Sequence, residues 1–127
     1  MKWLLLSLNL IFALVVLMSV NGCTFDKKEV PEPPLPDTVF YSLYIQPMFN
    51  STCAITGCHG NSSPTSGLNL SDSVSYNNLF IKHEINTLAP TSSNLYLFMN
   101  SNMPPSGRIP YDVSLVLKWI DEGAKNN

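Results

Sequence analysis

Two cysteines and a histidine lie close together in the stretch "NSTCAITGCHG" (residues 50–60), and this group limits the possible folds more than any other feature. Four residues separate Cys53 from Cys58, and His59 follows Cys58 directly. Such a group can form a disulfide, bind a metal ion or attach a haem covalently. The remainder of the chain must distinguish among these three chemistries.

The N-terminal residues predict export from the cytoplasm. Lys2 precedes an almost unbroken apolar run at residues 3–19, a pattern typical of an export signal. An uncleaved anchor helix is the alternative, since the run is close to the lower length limit for crossing a bilayer. The following "VNGC" resembles a bacterial lipobox, in which Cys23 becomes the lipidated first residue. We therefore predict a lipoprotein signal peptide at residues 1–22 and a membrane-anchored lipoprotein facing the periplasm or the cell surface.

The segment after the signal reads as a spacer. Residues 23–38 contain the lipid anchor at Cys23 and the proline-rich stretch "VPEPPLPDT". Proline-rich segments form extended, semi-rigid tethers, although a disordered tail without a spacing role is the alternative. The folded domain is then residues 39–127. A domain of about ninety residues buries little core, and small exported domains often need a disulfide or a cofactor.

The cysteine count favours haem over the other chemistries. If Cys23 carries lipid, Cys53 and Cys58 remain as one pair in an oxidising compartment. A disulfide has no use for a histidine directly after its second cysteine, whereas covalent haem attachment does, because the imidazole reaches the iron. The spacing is C-x-x-x-x-C-H rather than C-x-x-C-H. Two extra residues must therefore bulge out, which Gly57 can permit.

A zinc site is a weaker interpretation of the same residues. Structural zinc needs four ligands, commonly in two pairs. Only His83 remains to join the two cysteines and His59, and it has no partner at finger-like spacing. A disulfide between Cys53 and Cys58 thus remains the main alternative to haem.

A methionine in a polar loop is the candidate for a second iron ligand. Met103 lies in "NSNMPPSGRIP", where no packing pattern requires a methionine, and two following prolines hold it extended. Met48 and Met99 belong to apolar helical segments and are predicted core residues. His83, in "IKHEI", is the lesser candidate, since a lone histidine beside charged residues usually lies at the surface.

The periodicity of apolar residues predicts helices and no strands. A first helix is expected from Thr38, capped by Asp37 and kinked or restarted at Pro47. The last helix follows Pro110 and ends near Gly123. Two short helices are expected between them, with caps at Ser71 or Asp72 and at Ser92 or Ser93, and the apolar stripe of the last helix is Val113, Val116, Leu117 and Ile120.

Five stretches, taken in order, resemble a known family. They are "IQPMFNSTCAITGCHG", "SGLNLSD", "PTSSNLYLFM", "NMPP" and "VLKWIDEGA". Together they are similar to small monohaem cytochrome c domains of bacterial surface and periplasmic proteins, in particular the planctomycete type. The resemblance implies an all-α, cytochrome c-like fold with its first and last helices packed together around one covalent haem. It implies haem c on Cys53 and Cys58, with His59 as the proximal and Met103 as the distal ligand.

The function expected from these features is electron transfer by a membrane-tethered cytochrome. Transient redox partner proteins and a monomeric state are expected. A nucleic-acid partner is not expected, because the net charge is −2 and no basic stripe occurs. An enzyme is not expected, because a methionine ligand blocks the iron position that catalysis would need and no acid–base pair is evident. The alternative is a disulfide-stapled lipoprotein without haem that acts as a binding or structural module.

Overall fold

The computed structural model describes residues 31–62 and 64–127. The predicted signal peptide, the predicted lipidation site Cys23 and the tether up to residue 30 lie outside the described residues. Residues Glu32–Asn127 form one compact unit. Within residues 31–62 and 64–127 the secondary structure is helical and contains no strand, in keeping with the predicted all-α class. None of the described helices is long and apolar enough to cross a membrane.

Four helices and two short turns make up this unit. Helix α1 is composite: a wide π-helical turn at Tyr41–Ile45, an α-helical turn at Gln46–Met48 and a second π-helical turn at Phe49–Cys53. Helix α2 is Ser75–Ile81, α3 is Asn94–Met99 and α4 is Pro110–Asp121. Short 3₁₀ turns occur at Thr65–Gly67 and at Pro90–Ser92.

The start of α1 is capped from the opposite end of the chain. The helix begins at Tyr41 rather than at Thr38, and the prediction that Asp37 caps it is wrong. Instead, the Tyr41 amide donates to the Asn127 side-chain oxygen at 2.9 Å. The Ser42 amide donates to the Asn127 backbone oxygen, also at 2.9 Å. These bonds satisfy free amide groups that a local side chain would otherwise cap.

Pro47 divides α1 as the sequence predicts. A new α-helical segment begins at Gln46, which places Pro47 in its first turn. Proline is tolerated there because a first-turn amide has no intrahelical acceptor. The π-helical turns on both sides accommodate the change of hydrogen-bonding register. The helix therefore continues to Cys53, which is the first residue of the loop at residues 53–60 that contains both cysteines and His59, the motif loop.

Helix α2 also starts differently from the sequence prediction. It begins at Ser75, with Val74 at the N-cap position and no side-chain cap, so the predicted caps Ser71 and Asp72 are both wrong. The Ser71 carbonyl accepts the Ser75 amide at 2.9 Å. The Asp72 carboxylate accepts the side-chain amide of Asn50 at 2.6 Å and so ties α1 to the turn before α2.

The starts of α3 and α4 agree better with prediction. Ser93 is the N-cap residue of α3, but its hydroxyl accepts the Asn86 amide at 2.9 Å instead of capping the helix. Helix α4 begins at Pro110. The chain leaves α4 through Gly123, whose φ of 93° is in the left-handed region. Both ends of α4 are thus confirmed.

The first and last helices pack against each other through aromatic rings. The ring centroids of Tyr41 and Trp119 are 5.2 Å apart, and those of Tyr41 and Tyr76 are 5.3 Å apart. Trp119 is 1% exposed. Most of the predicted α4 stripe is buried, and Leu117 is half-buried. The buried core also includes residues from every helix, among them Ile45, Phe49, Leu79, Leu95, Val113, Val116 and Ile120.

A buried hydrogen-bond chain links α1 to α2. The Tyr41 hydroxyl donates to Ser75 Oγ at 2.7 Å, and the Ser75 hydroxyl donates to Gln46 Oε1. The Gln46 amide donates to the Leu70 carbonyl at 3.1 Å. Burial raises the pKa of Tyr41 to about 12 from its ordinary value of 10.0. The folded state therefore holds this proton more tightly than the unfolded chain does.

The raised Tyr41 pKa predicts a loss of stability at alkaline pH. The unfolded chain releases this proton near pH 10.0 and the folded chain near pH 12, so the stabilisation is complete below pH 10 and is lost up to pH 12. We expect Tyr41→Phe to cost about 1 kcal/mol at neutral pH. The same substitution should also remove the loss of stability that Tyr41 causes between pH 10 and 12, as measured by urea unfolding between pH 7 and 12. Tyr44→Phe, on the same helix, is the control, and an unchanged alkaline profile in Tyr41→Phe would contradict the assignment.

Candidate functional site

The wide gap between the two cysteines folds as a compact turn after α1. The His59 amide donates to the Cys53 carbonyl at 2.9 Å, which closes the loop. Within it, the Cys58 amide donates to the Ile55 carbonyl at 3.1 Å. Gly57 has φ +84° and supplies the left-handed residue that the turn requires, as the sequence predicts. The four intervening residues therefore form an ordered bulge that keeps both cysteines and the histidine in one loop.

Gly60 is a second glycine that the loop requires, and sequence reasoning missed it. It is buried, and a Cβ atom there would lie 2.8 Å from the Ala54 carbonyl oxygen and 3.0 Å from that of Ile55. Both neighbours are backbone atoms and cannot rotate away. No signal beyond its position after His59 marks this glycine in the sequence, because the close approach arises only when the bulge folds back.

Substitution of these glycines should have unequal effects. Gly60→Ala forces backbone atoms apart and should destabilise the domain by about 3 kcal/mol, the upper end for overpacking. Gly57→Ala meets no atom within 4 Å and costs only its left-handed backbone strain, about 1 kcal/mol. Urea unfolding of both variants measures the difference. Equal losses would show that the loop relaxes around residue 60.

The imidazole of His59 is held by one nitrogen and open at the other. Its Nδ1 lies 3.0 Å from the Leu68 carbonyl oxygen. When Nδ1 carries the proton and donates to this carbonyl, Nε2 presents its lone pair to a ligand. The Leu70 amide also donates to the His59 carbonyl at 2.8 Å, so the backbone of this segment is fixed at both residues. A backbone-oriented imidazole of this kind is suited to binding a metal centre.

Two cavities meet at the motif. Each has a volume of about 190 Å³, and they share four wall residues: Cys53, His59, Thr65 and Met103. The first cavity is otherwise mainly apolar, with walls that include Leu68, Leu70, Leu95, Phe98 and Met99. The second cavity adds Cys58, Gly57 and the two prolines that follow Met103. The fold thus brings together all four residues that the sequence predicted for the site.

Met103 reaches the motif because the end of α3 holds its loop. The Met103 amide donates to the Phe98 carbonyl at 2.8 Å, and the Asn102 amide donates to the same oxygen at 2.8 Å. The side chain of Met103 is half-buried in both cavity walls. Phe98 is 51% exposed and lines the first cavity, so the wall beside the Met103 loop is open to solvent.

Of the other candidate ligands, His83 and Met48 lie away from both cavities, whereas Met99 lines the first one. His83 is exposed and lines neither cavity. Met48 is a buried core residue, as predicted. Met99 is also buried in the core but additionally contributes to the wall of the first cavity. Met103 and Met99 are therefore the two methionines near His59, and only Met103 lines both cavities.

The two thiols of the motif are free and half-buried. Burial raises the pKa of Cys53, while the hydroxyl of Thr52, 3.4 Å from the Cys53 sulfur, acts to lower it. The nearby carboxylate of Asp112 raises it further. Cys53 is therefore held as a neutral thiol at the end of α1.

An acidic residue that sequence reasoning did not select also faces this site. Glu84 lines the first cavity together with His59 and Met103. Burial raises the pKa of its carboxyl group, and the charges of His59 and Lys82 act to lower it. In this segment the sequence made His83 a candidate ligand, but His83 is exposed to solvent. Its neighbour Glu84 lies in the wall of the first cavity.

No protein-family model, no curated protein and no solved structure matches this chain. Among residues 31–62 and 64–127, no three His, Cys, Asp or Glu side chains are grouped so that they could hold a single metal ion. The arrangement around Cys53, Cys58, His59 and Met103 is therefore the basis for a functional proposal.

Proposed function

We propose that this protein is a membrane-tethered, monohaem c-type cytochrome that transfers electrons, with a cytochrome c-like fold. One observation carries the proposal: Cys53, Cys58, His59 and Met103 line a single cavity, although Met103 is distant from the others in the sequence. These are the residue types that attach haem c and ligate its iron from two sides.

The side chains at the site fit a haem chemically. Two free thiols are available for thioether bonds, and His59 Nε2 is open because Nδ1 engages the Leu68 carbonyl. The thioether of Met103 supplies a soft ligand that favours iron(II). The walls of the first cavity are mainly apolar, as a flat apolar macrocycle requires.

In this proposal each residue of the chain has a defined task. A haem bound here would supply the one-electron couple. Cys53 and Cys58 would fix its edge covalently, and the Leu68 carbonyl would orient His59 toward the iron. Leu70, Leu95 and Met99 would exclude water from the site, which tunes its potential. Met103 would ligate the iron and keep small ligands away from it, as expected of an electron carrier rather than an enzyme.

The cellular setting is part of the same proposal. Lipid on Cys23 and a spacer at residues 23–38 would hold the domain near a membrane, at the periplasmic or outer surface of the cell envelope. Partner proteins would dock transiently, and the net charge of −2 gives little long-range electrostatic steering. The domain is proposed to act as a monomer.

The alternative is a lipoprotein stapled by a Cys53–Cys58 disulfide. The hydrogen bond from the His59 amide to the Cys53 carbonyl closes a loop that either chemistry can use. A disulfide, however, gives no role to the open nitrogen of His59 or to Met103 in the same cavity.

Visible spectroscopy and haem staining separate the two functions. The full-length protein is expressed together with a cytochrome c maturation system, beside a Cys53→Ser, Cys58→Ser double variant and a cytochrome with a C-x-x-C-H motif. We expect sharp haem bands in the reduced-minus-oxidised spectrum and a haem stain that survives the denaturing gel. The double variant should lose the stain. A folded, colourless protein beside a normally matured control would overturn the proposal in favour of the disulfide form.

A further inference from the structure

Among the described residues that line the first cavity, Glu84 is the one that carries a carboxylate. The rest of that wall consists of apolar side chains, two hydroxyl residues, the motif residues and methionines. A carboxylate is costly in such a wall, because burial removes water from its charge. Glu84 is half-buried and bears part of this cost, which a positive charge in the cavity would offset.

The backbone holds Glu84 in this position from two helices. The Glu84 amide donates to the Leu79 carbonyl of α2 at 2.8 Å, and the Leu95 amide of α3 donates to the Glu84 carbonyl at 3.1 Å. His83 adopts φ 58°, a left-handed conformation that turns the chain at the end of α2. This turn leaves His83 exposed and places Glu84 in the cavity wall.

The Glu84 carboxylate has no fixed partner in the part of the chain that the structure describes. Within residues 31–62 and 64–127, neither a hydrogen bond nor a salt bridge reaches its oxygens, and the ion pair found there joins Lys118 and Glu122. Burial raises its pKa, which the charges of His59 and Lys82 oppose. The group thus stands half-buried beside the imidazole that is proposed to bind iron.

We infer that Glu84 is a positioned counter-charge for the iron centre, which stabilises the ferric state over the ferrous state and lowers the reduction potential. The inference rests on the proposed function. Ferric haem carries one positive charge more than ferrous haem, so a negative charge in the wall of the same cavity favours oxidation. Glu84 would act on the iron through the electric field and would not ligate it.

The test is a spectroelectrochemical titration of the haem-loaded, full-length Glu84→Gln variant at pH 7. At an effective dielectric constant of about 20, a unit charge in the wall of the same cavity changes such an equilibrium roughly tenfold. At the midpoint potential of the parent protein, we therefore expect the ratio of reduced to oxidised variant to be roughly tenfold higher. This ratio corresponds to a midpoint raised by about 59 mV for one electron. Glu84→Asp, which keeps the charge, should restore most of the parent potential.

A charge of opposite sign provides the sharper comparison. Lys82 precedes the turn and is exposed, so Lys82→Gln should shift the midpoint the opposite way and by less. Asp121→Asn, a carboxylate outside both cavities, should leave it unchanged. Normal haem attachment with an unchanged midpoint in Glu84→Gln, or equal shifts in Glu84→Gln and Glu84→Asp, overturns this inference alone. Absence of covalent haem from the parent protein overturns the proposed function and this inference with it.

Discussion

Met103→Leu is expected to lower the reduction potential of the haem-loaded protein by on the order of 0.2 V, within the range of about 0.8 V that axial ligands span. A methionine opposite histidine raises the potential because its soft sulfur stabilises iron(II). Leucine has similar volume and keeps the cavity wall apolar, but it has no ligand atom. The variant should retain its covalent haem, since Cys53 and Cys58 are unchanged. Its iron should now bind an added ligand such as imidazole, which visible spectra detect.

Met99 supplies the matched control for this prediction. It lies in the wall of the first cavity and is 5% exposed, and Met99→Leu makes the same chemical change at a neighbouring core position. We expect Met99→Leu to bind its haem with the potential and the ligand resistance of the parent. A potential shift in Met99→Leu with none in Met103→Leu would assign the sulfur ligand to Met99 instead. No shift in either would remove methionine from the iron.

The position of Met103 was predictable because it violates a packing rule. A methionine among asparagine, serine and proline residues serves no amphipathic pattern, so the sequence itself marks it as unusual. The structure places it in both cavity walls beside Cys53 and His59. Residues that depart from local preference are where functional constraints are most visible in a sequence.

The start of α1 was not predictable, because its cap is not local. Asp37 has a side chain typical of an N-cap, yet Asn127 accepts the Tyr41 amide and Glu122 accepts the Val39 amide, each at 2.9 Å. Glu122 and Asn127 lie more than eighty residues after the amides that they accept. Only the packing of α4 against α1 brings them to the start of α1. Capping rules apply to neighbouring residues and cannot foresee such contacts.

Gly60 and Glu84 escaped prediction for a related reason. The need for glycine at residue 60 arises from carbonyl oxygens of residues 54 and 55, which approach it only after the bulge has formed. Glu84 enters the cavity through the left-handed turn at His83, a conformation that non-glycine residues seldom adopt. Both features depend on backbone geometry that apolar periodicity does not encode.

Trp119→Ala is expected to destabilise the domain by about 4 kcal/mol, as for other large-to-small changes of a buried aromatic residue. Trp119 is 1% exposed, and its ring centroid lies 5.2 Å from that of Tyr41 and 6.4 Å from that of Tyr76, so its loss removes the aromatic contacts of α4 with α1 and α2. Its indole N–H also donates to the Lys125 carbonyl at 2.9 Å, which holds the chain beyond α4. The free energy of unfolding of a small domain is about 5–15 kcal/mol in total, so a large share of its stability would be lost.

Urea unfolding of the matured protein tests this prediction, with two variants that divide the effect. Trp119→Phe keeps most of the ring packing and loses the hydrogen bond to Lys125, so it should cost about 1–2 kcal/mol. Leu117→Ala lies on the same helix but is half-buried, and its loss should be about 1 kcal/mol because much of its surface is already hydrated. If Trp119→Ala costs no more than Leu117→Ala, α1 and α4 are not held together at Trp119. The stability of the domain would then depend more on the loop at residues 53–60 and its proposed haem than on the Trp119 contact between the first and last helices.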